Sequence, residues 1–249
     1  MRPFLPYSQG AWRGFAAQTF REANLTADAL ENMGELVVDK PNRVVRRMHI
    51  LGGEAYAKWF SPPRNILKQC FRRPLAFRLL DIHLAMLEAG IGCAIPCLAA
   101  VEGRLGRQLF VYRAIPFPGL HIQLREADAE KANTLYLAAA QAIAQLHRRG
   151  FVHGDCLPGN ICLAEDGTAF FIDNDRTAKS FFPLRQYQER RNLIQFCAHA
   201  AIQCGMTPEQ QRLFLEHYYS QRDQDIPSLD SLVDVIERRR EEIQQEMEK

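Results

Sequence analysis

Apolar and polar residues recur with two different periods along the chain. Between residues 35 and 60, in ELVVD, RVVRRMHIL and EAYAKWF, the pattern is that of short strands separated by turns. A hairpin pattern follows from Ala94 to Ile115. The periods of three and four residues that indicate helices occur in Pro74 to Ala89, Glu130 to Arg149, Asn192 to Cys204, Pro208 to Gln221 and Ser228 to Lys249. The pattern therefore predicts an α+β protein with a small β-rich first part and a mostly helical second part.

The first 34 residues have a weaker pattern. Phe15 to Leu30 predicts one or two short helices, with Thr26 as an N-cap. The prolines and glycine of Pro116 to Gly119 mark a linker after the hairpin. We therefore predict three parts: an N-terminal extension (1–34), a β-rich domain (35–115) and a helical domain (116–249).

Composition narrows the class of protein. The chain has 249 residues, of which 47% are hydrophobic and 24% charged, and its formal net charge is +2. These values are those of a globular protein with a core, and overall charge does not predict a nucleic-acid partner. We expect neither a signal peptide nor a membrane span, because no apolar run is long enough. Seven scattered cysteines favour reduced thiols and a cytoplasmic location.

Residues 152–176 contain the strongest chemical pattern. His153, Gly154 and Asp155 are followed by Asn160, and Asp173 ends an apolar run. Phosphoryl transfer on the protein-kinase plan uses one aspartate as the base, with an asparagine and a second aspartate as Mg²⁺ ligands. A predicted hairpin, with strands at 161–164 and 168–172, would return Asp173 close to Asn160.

Lys58 is the only cation inside the apolar strand EAYAKWF, where Ala55, Ala57 and Trp59 alternate with Tyr56, Lys58 and Phe60. It is either an edge-strand lysine or the strand lysine that contacts nucleotide phosphates. The turn DKPNR contains no glycine, so a Gly-rich phosphate loop is missing. The helix over 74–89 has only Asp81 as an acid near its middle. Lys58 is therefore unpaired, paired with Asp81, or paired from elsewhere.

The HGD-x4-N loop, the YAK strand and above all IDNDR resemble the bacterial lipopolysaccharide core kinases. These are the 3-deoxy-manno-octulosonic acid (Kdo) kinases and inner-core heptose kinases of the protein-kinase-like superfamily. The resemblance covers roughly residues 35 to 200. It implies a two-lobed kinase fold, with ATP and Mg²⁺ as cofactors. It also implies that Asp155 is the base, that Lys58 grips phosphates, and that Asn160 and Asp173 hold Mg²⁺.

The resemblance further implies a sugar hydroxyl of lipid A-core, on heptose or Kdo, as acceptor. The expected location is the cytoplasm, with peripheral contact at the inner membrane left open. A serine/threonine protein kinase is one alternative, although Gly154 and Leu157 stand where such kinases usually have Arg and Lys. The other alternative is a pseudokinase scaffold in envelope biogenesis. The pattern assigns no role to Asp175, and Arg176 could pair with Asp155 or with an anionic acceptor.

Overall fold

Antiparallel strand pairing forms the first part of the chain. The computed structural model describes residues 4–62, 73–103, 106–181, 183–222 and 228–248. The chain divides into one unit of Met1–Ala85 with Ala94–Ala114, and another of Met86–Cys93 with Ile115–Lys249. The three-part division predicted above, with residues 1–34 as an extension, stays a prediction.

The described strands of the first unit form one seven-stranded antiparallel sheet in the order β1-β2-β7-β8-β5-β4-β3. They are β1 (Phe4–Gln9), β2 (Trp12–Ala17), β3 (Glu35–Lys40), β4 (Arg43–Ile50), β5 (Gly53–Phe60), β7 (Pro96–Glu102) and β8 (Gln108–Arg113). The short β6 (Gly92–Cys93) belongs to the second unit. The predicted strands of residues 35–60 and the hairpin that follows them are thus present.

The two faces of this sheet bury different residues, as strand alternation requires. Ala55, Ala57 and Trp59 of β5 belong to one core cluster. Phe60 belongs to the other, where it packs with Leu79 of helix α3 (Leu75–Glu88). The predicted alternation along β5 is therefore confirmed, and Lys58 projects from the same face as Phe60.

The prediction for the first 34 residues is incomplete. Helices α1 (Gln18–Glu22) and α2 (Ala27–Leu30) are present, and the Thr26 hydroxyl accepts a hydrogen bond from the Ala29 amide, as an N-cap does. Strands β1 and β2 precede them and were not predicted. Proline is unusual in strands, so Pro6 argues against a strand in the sequence; it is tolerated here because β1 is an edge strand. Gly14 weakens the strand pattern of β2. A glycine is needed there because only a glycine lets β2 approach the backbone of Ala99 so closely.

Helices dominate the second unit. They are α4 (Leu120–Arg125), α5 (Ala129–Arg148), α6 (Arg185–Cys204), α7 (Pro208–Ser220) and α8 (Leu229–Met247). Helix α5 packs against α7, and α6 against α8. Helix α6 starts at Arg185 instead of the predicted Asn192, because its first two turns are polar and carry no apolar period.

Short strands connect these helices. The predicted hairpin is β10 (Ile161–Leu163) with β11 (Ala169–Phe171), and β6 extends it through a parallel pairing. Strand β9 (Phe151–Val152) pairs with β12 (Ala178–Lys179). The α+β class, with a β-rich N-terminal part and a helical C-terminal part, is confirmed. In the ranges that the structure describes, no helix has the length and apolar character needed to cross a membrane.

Candidate functional site

The loop between β9 and β10 contains His153 and Asp155. The His153 ring is buried, and its Nε2 lies 3.0 Å from the Ile172 carbonyl oxygen. Its Nδ1 accepts a hydrogen bond from the Asp155 amide at 3.2 Å. Burial lowers the pKa of His153, and both contacts fit a neutral ring protonated at Nε2. His153 therefore fixes the backbone of Asp155 against the segment that leads to Asp173.

Asn160 ends the same loop. Its side-chain amide donates to the carbonyl oxygen of Asp155 at 2.8 Å. The backbone carbonyl of Asn160 accepts a hydrogen bond from the backbone amide of Ile172 at 2.9 Å. The hairpin therefore returns the chain to Asn160, as the sequence predicts, and Asp173 is the next residue after Ile172. The structure thus brings Asp155, Asn160 and Asp173 together.

Asp173 begins a tight turn. Its backbone has φ 54° and ψ 48°, the left-handed region, which aspartate adopts more readily than most residues. The side chain of the buried Asn174 closes the turn, since it donates to the Phe171 carbonyl at 2.9 Å and accepts from the Thr177 hydroxyl at 3.0 Å. The asparagine of IDNDR is thus a structural residue that the sequence pattern alone did not explain.

The loop of Asp155 and the turn that begins at Asp173 meet at Gly154 and Arg176. A Cβ atom on Gly154 would overlap the backbone oxygen and the Cβ of Arg176. The turn after Asp173 can therefore lie against the Asp155 loop only when residue 154 has no side chain. No salt bridge joins Arg176 to Asp155 in the described part of the chain, so the first of its two predicted pairings is not observed.

Helix α6 holds the loop from its other side through two amide side chains. Asn192 accepts a hydrogen bond from the His153 amide at 3.0 Å and donates to the His153 carbonyl at 2.6 Å. Gln195 donates to Asp155 Oδ1 at 3.0 Å and accepts from the Cys156 amide at 3.2 Å. Sequence reasoning missed both residues. The feature of the sequence that could have identified Asn192 is its amide side chain in the apolar pattern of a predicted helix.

A second layer of buried polar groups supports Asn192. The ring of His147, on α5, contacts Asn192 Oδ1 at 3.0 Å through Nε2, and its Nδ1 lies 2.8 Å from the Tyr218 hydroxyl. Burial lowers the pKa of His147 to about 4. One turn before Asn192, the buried carboxylate of Glu189 binds Arg222 at 2.7 Å. Helices α5, α6 and α7 are thus tied together directly behind the loop.

The donor set at Asn160 and Asp173 fits Mg²⁺. The Asn160 amide nitrogen donates to the Asp155 carbonyl, so Oδ1 is the atom of this side chain that would bind a metal, and Asp173 would supply a carboxylate. Mg²⁺ prefers such hard oxygen donors and usually takes one or two protein ligands, with nucleotide phosphates and water as the others. No group of three or more His, Cys, Asp or Glu residues suited to a metal occurs among the described residues.

Lys58 lies in the first unit, where β5 pairs with β4 on one side and β8 on the other. The alternative of an edge-strand lysine is therefore wrong. Lys58 is buried, and its Nζ lies 5.6 Å from the centre of the Tyr112 ring. Burial is the main cause that lowers the pKa of His83, and the positive charge of Lys58 lowers it further. The carboxylate of Asp81, the acid near the middle of α3, binds Arg73 at 2.7 Å.

Comparison with protein families gives a match in the second unit. Residues 120–218 match the model of the Lipopolysaccharide kinase (Kdo/WaaP) family. The matched segment contains Asp155, Asn160 and Asp173, while Lys58 lies outside it. No curated protein matches the chain. The match confirms the resemblance that the sequence motifs indicated: residues 120–218 are similar to the lipopolysaccharide kinase (Kdo/WaaP) family.

Proposed function

We propose that this protein is an ATP-dependent kinase that phosphorylates a sugar hydroxyl, on heptose or Kdo, of the lipopolysaccharide inner core. The observation that carries the proposal is the hydrogen bond from the Ile172 amide to the Asn160 carbonyl. This contact supports the proposal because it joins the residue before Asp173 to Asn160, at the end of the loop of Asp155, in a segment that matches a lipopolysaccharide kinase family. We further propose that the two units are the two lobes of a protein-kinase-like fold.

In this proposal Asp155 accepts the proton of the acceptor hydroxyl while that oxygen attacks the γ-phosphate of ATP, and the bond between the γ-phosphorus and the bridging oxygen breaks so that ADP leaves. The Gln195 amide occupies one carboxylate oxygen of Asp155 and orients the other. Asn160 and Asp173 would hold Mg²⁺, which when bound neutralises charge on the phosphates. Lys58, on β5, would contact the phosphates of the nucleotide. The acceptor implies work at the cytoplasmic face of the inner membrane, with peripheral contact there.

The sharpest test replaces Asp155 with asparagine. Asp155→Asn keeps an oxygen for the Gln195 amide but removes the base, so we expect phosphate transfer to fall by about 10²–10⁴-fold. Transfer from ATP to purified core oligosaccharide, followed by mass spectrometry, measures the change. Asp166→Asn, in the exposed turn between β10 and β11, is the matched control and should keep wild-type activity.

The competing functions give different results in the same assay. Phosphate transfer to protein but not to core oligosaccharide would favour a protein kinase. A scaffold would transfer no phosphate to either substrate. ATP with Mg²⁺ should raise the melting temperature if the native state binds the nucleotide. Unchanged core phosphorylation in a deletion strain would contradict the proposal.

A further inference from the structure

A cleft of about 380 Å³ opens between helices α6 and α8. Its polar and aromatic lining comes from Tyr187, Arg190, Arg191, Gln195 and His199 of α6 and from Arg239 of α8, together with two aliphatic side chains. We call it the arginine cleft. Apart from the adjacent pair Arg190 and Arg191, the α6 residues follow one another at three or four positions, so they lie on one face of the helix. The volume lies in the range of sites for small molecules, which is about 300–1,000 Å³.

The arginine cleft is strongly cationic. Its lining contains three arginines and no aspartate or glutamate. Arg239 is partly compensated, because its guanidinium contacts Glu242 at 2.8 Å and Glu246 at 3.7 Å. Within the described part of the chain, neither Arg190 nor Arg191 forms a salt bridge. Two adjacent guanidinium groups at one concave surface repel each other, and an anion placed between them relieves that repulsion.

The cleft also adjoins the candidate active site through a shared residue. Gln195 lines the cleft and donates its amide hydrogen to Asp155 Oδ1 at 3.0 Å. Arg191 lies one helical turn before Gln195, and His199 lies one turn after it. A molecule in the cleft is therefore separated from Asp155 by the side chain of Gln195. An isolated surface cluster of arginines would not have this position.

We propose that the arginine cleft binds an oxyanion of the acceptor, a phosphate or a carboxylate, and thereby sets the acceptor hydroxyl beside Asp155. Arg190 and Arg191 contact the oxyanion, and Arg239 borders it. This inference rests on the proposed function, since it names the chemical class of substrate for that site. It makes Arg190 and Arg191 specificity residues, because a neutral sugar gains nothing from them.

Kinetics of the single variants test the role of the two arginines. Arg191→Gln and Arg190→Gln should each raise KM for core oligosaccharide about tenfold, the usual effect of one lost charged contact. The values of kcat and of KM for ATP should stay within about twofold, because neither residue contacts the reacting atoms. Arg238→Gln, an exposed arginine of α8 outside the cleft, is the matched control.

Binding without turnover separates this proposal from the proposed function. Methyl phosphate and acetate, added to the full chain without ATP, should shift the NMR signals of the His199 ring, and the stronger effector identifies the phosphate or the carboxylate as the natural group. The shift should be lost in Arg191→Gln. If this binding is seen while transfer fails, the cleft is an oxyanion site, but the kinase proposal falls and with it the role of the cleft in placing an acceptor hydroxyl. If transfer proceeds with KM unchanged in both arginine variants, the cleft proposal is overturned.

Discussion

Gly154 shows how much of the candidate site depends on a missing side chain. The backbone of Arg176 occupies the space where a Cβ would stand, so the turn after Asp173 and the loop of Asp155 pack backbone to backbone. The requirement is purely steric, because any larger residue would push one segment away from the other. The distance between the two aspartates therefore depends on this glycine.

We predict that Gly154→Ala is destabilising. Overpacking against backbone that cannot rotate away costs about 1–3 kcal/mol, which lowers the melting temperature by several degrees in a chain of this size. A thermal melt of the purified variant measures the change. Gly53→Ala is the control, since an added Cβ there meets only Arg113 Nη1 at 3.9 Å. Equal melting temperatures for the two variants would contradict the steric account.

At the scale of elements, α6 is the helix that positions the active-site loop. Asn192 and Gln195 bind the loop backbone and Asp155, and Glu189 ties the same helix to Arg222 behind it. Buried amides in such a position stabilise one arrangement of the chain, because any shift leaves polar groups without partners. The helix thus fixes the geometry of a loop that has little regular structure of its own.

We predict a large effect for Asn192→Ala. It would leave the amide and carbonyl of His153 and the ring of His147 without this partner, at about 1–3 kcal/mol for each buried group that water does not reach. Urea unfolding should show a loss of about 3 kcal/mol or more. Gln186→Ala, which removes an exposed amide from the same helix, should change little. A loss below about 1 kcal/mol for Asn192→Ala would show that the loop does not depend on α6.

Prediction from sequence succeeded where one segment carries its own signal. The alternation of Ala55, Lys58 and Phe60 identified a strand, and two apolar runs around the EDG turn identified the hairpin between Asn160 and Asp173. It failed where partners are distant in the sequence. Neither the contact of Gly154 with Arg176 nor the bond of Gln195 to Asp155 leaves a periodic pattern. The cationic cleft likewise leaves no single pattern in the sequence, because its members come from two helices.

At the scale of the whole molecule, buried histidines make stability depend on pH. Burial lowers the pKa of His83 and His147 to about 4 and also lowers that of His153. A lowered pKa in the folded state means that the unfolded chain takes up the proton first. The stabilising contribution is therefore complete above the unfolded pKa and is lost as pH falls below about 6.5.

We predict that the free energy of unfolding falls between about pH 6.5 and pH 5, by up to about 1.4 kcal/mol per pH unit for each such histidine. Urea unfolding at a series of pH values measures the slope. His147→Gln should make the slope shallower, since it removes one of the titrating groups. Carboxylates with lowered pKa, such as Glu102, act only at lower pH, so they do not obscure this range. Stability that stays constant or rises over this interval would contradict the assignment.

The hydrogen bonds that hold the Asp155 loop also fix the order in which this region can form during synthesis. The hydrogen-bond partner of His153 is Asn192, 39 residues later, and that of Asp155 is Gln195, 40 residues later. The ring of His147 contacts Tyr218, 71 residues later. Contacts so distant in sequence form late, after local helices and hairpins. The pairing of β10 with β11 needs no residue beyond Phe171, but the loop with the proposed base gains its final shape only after α6 and α7 have been synthesised.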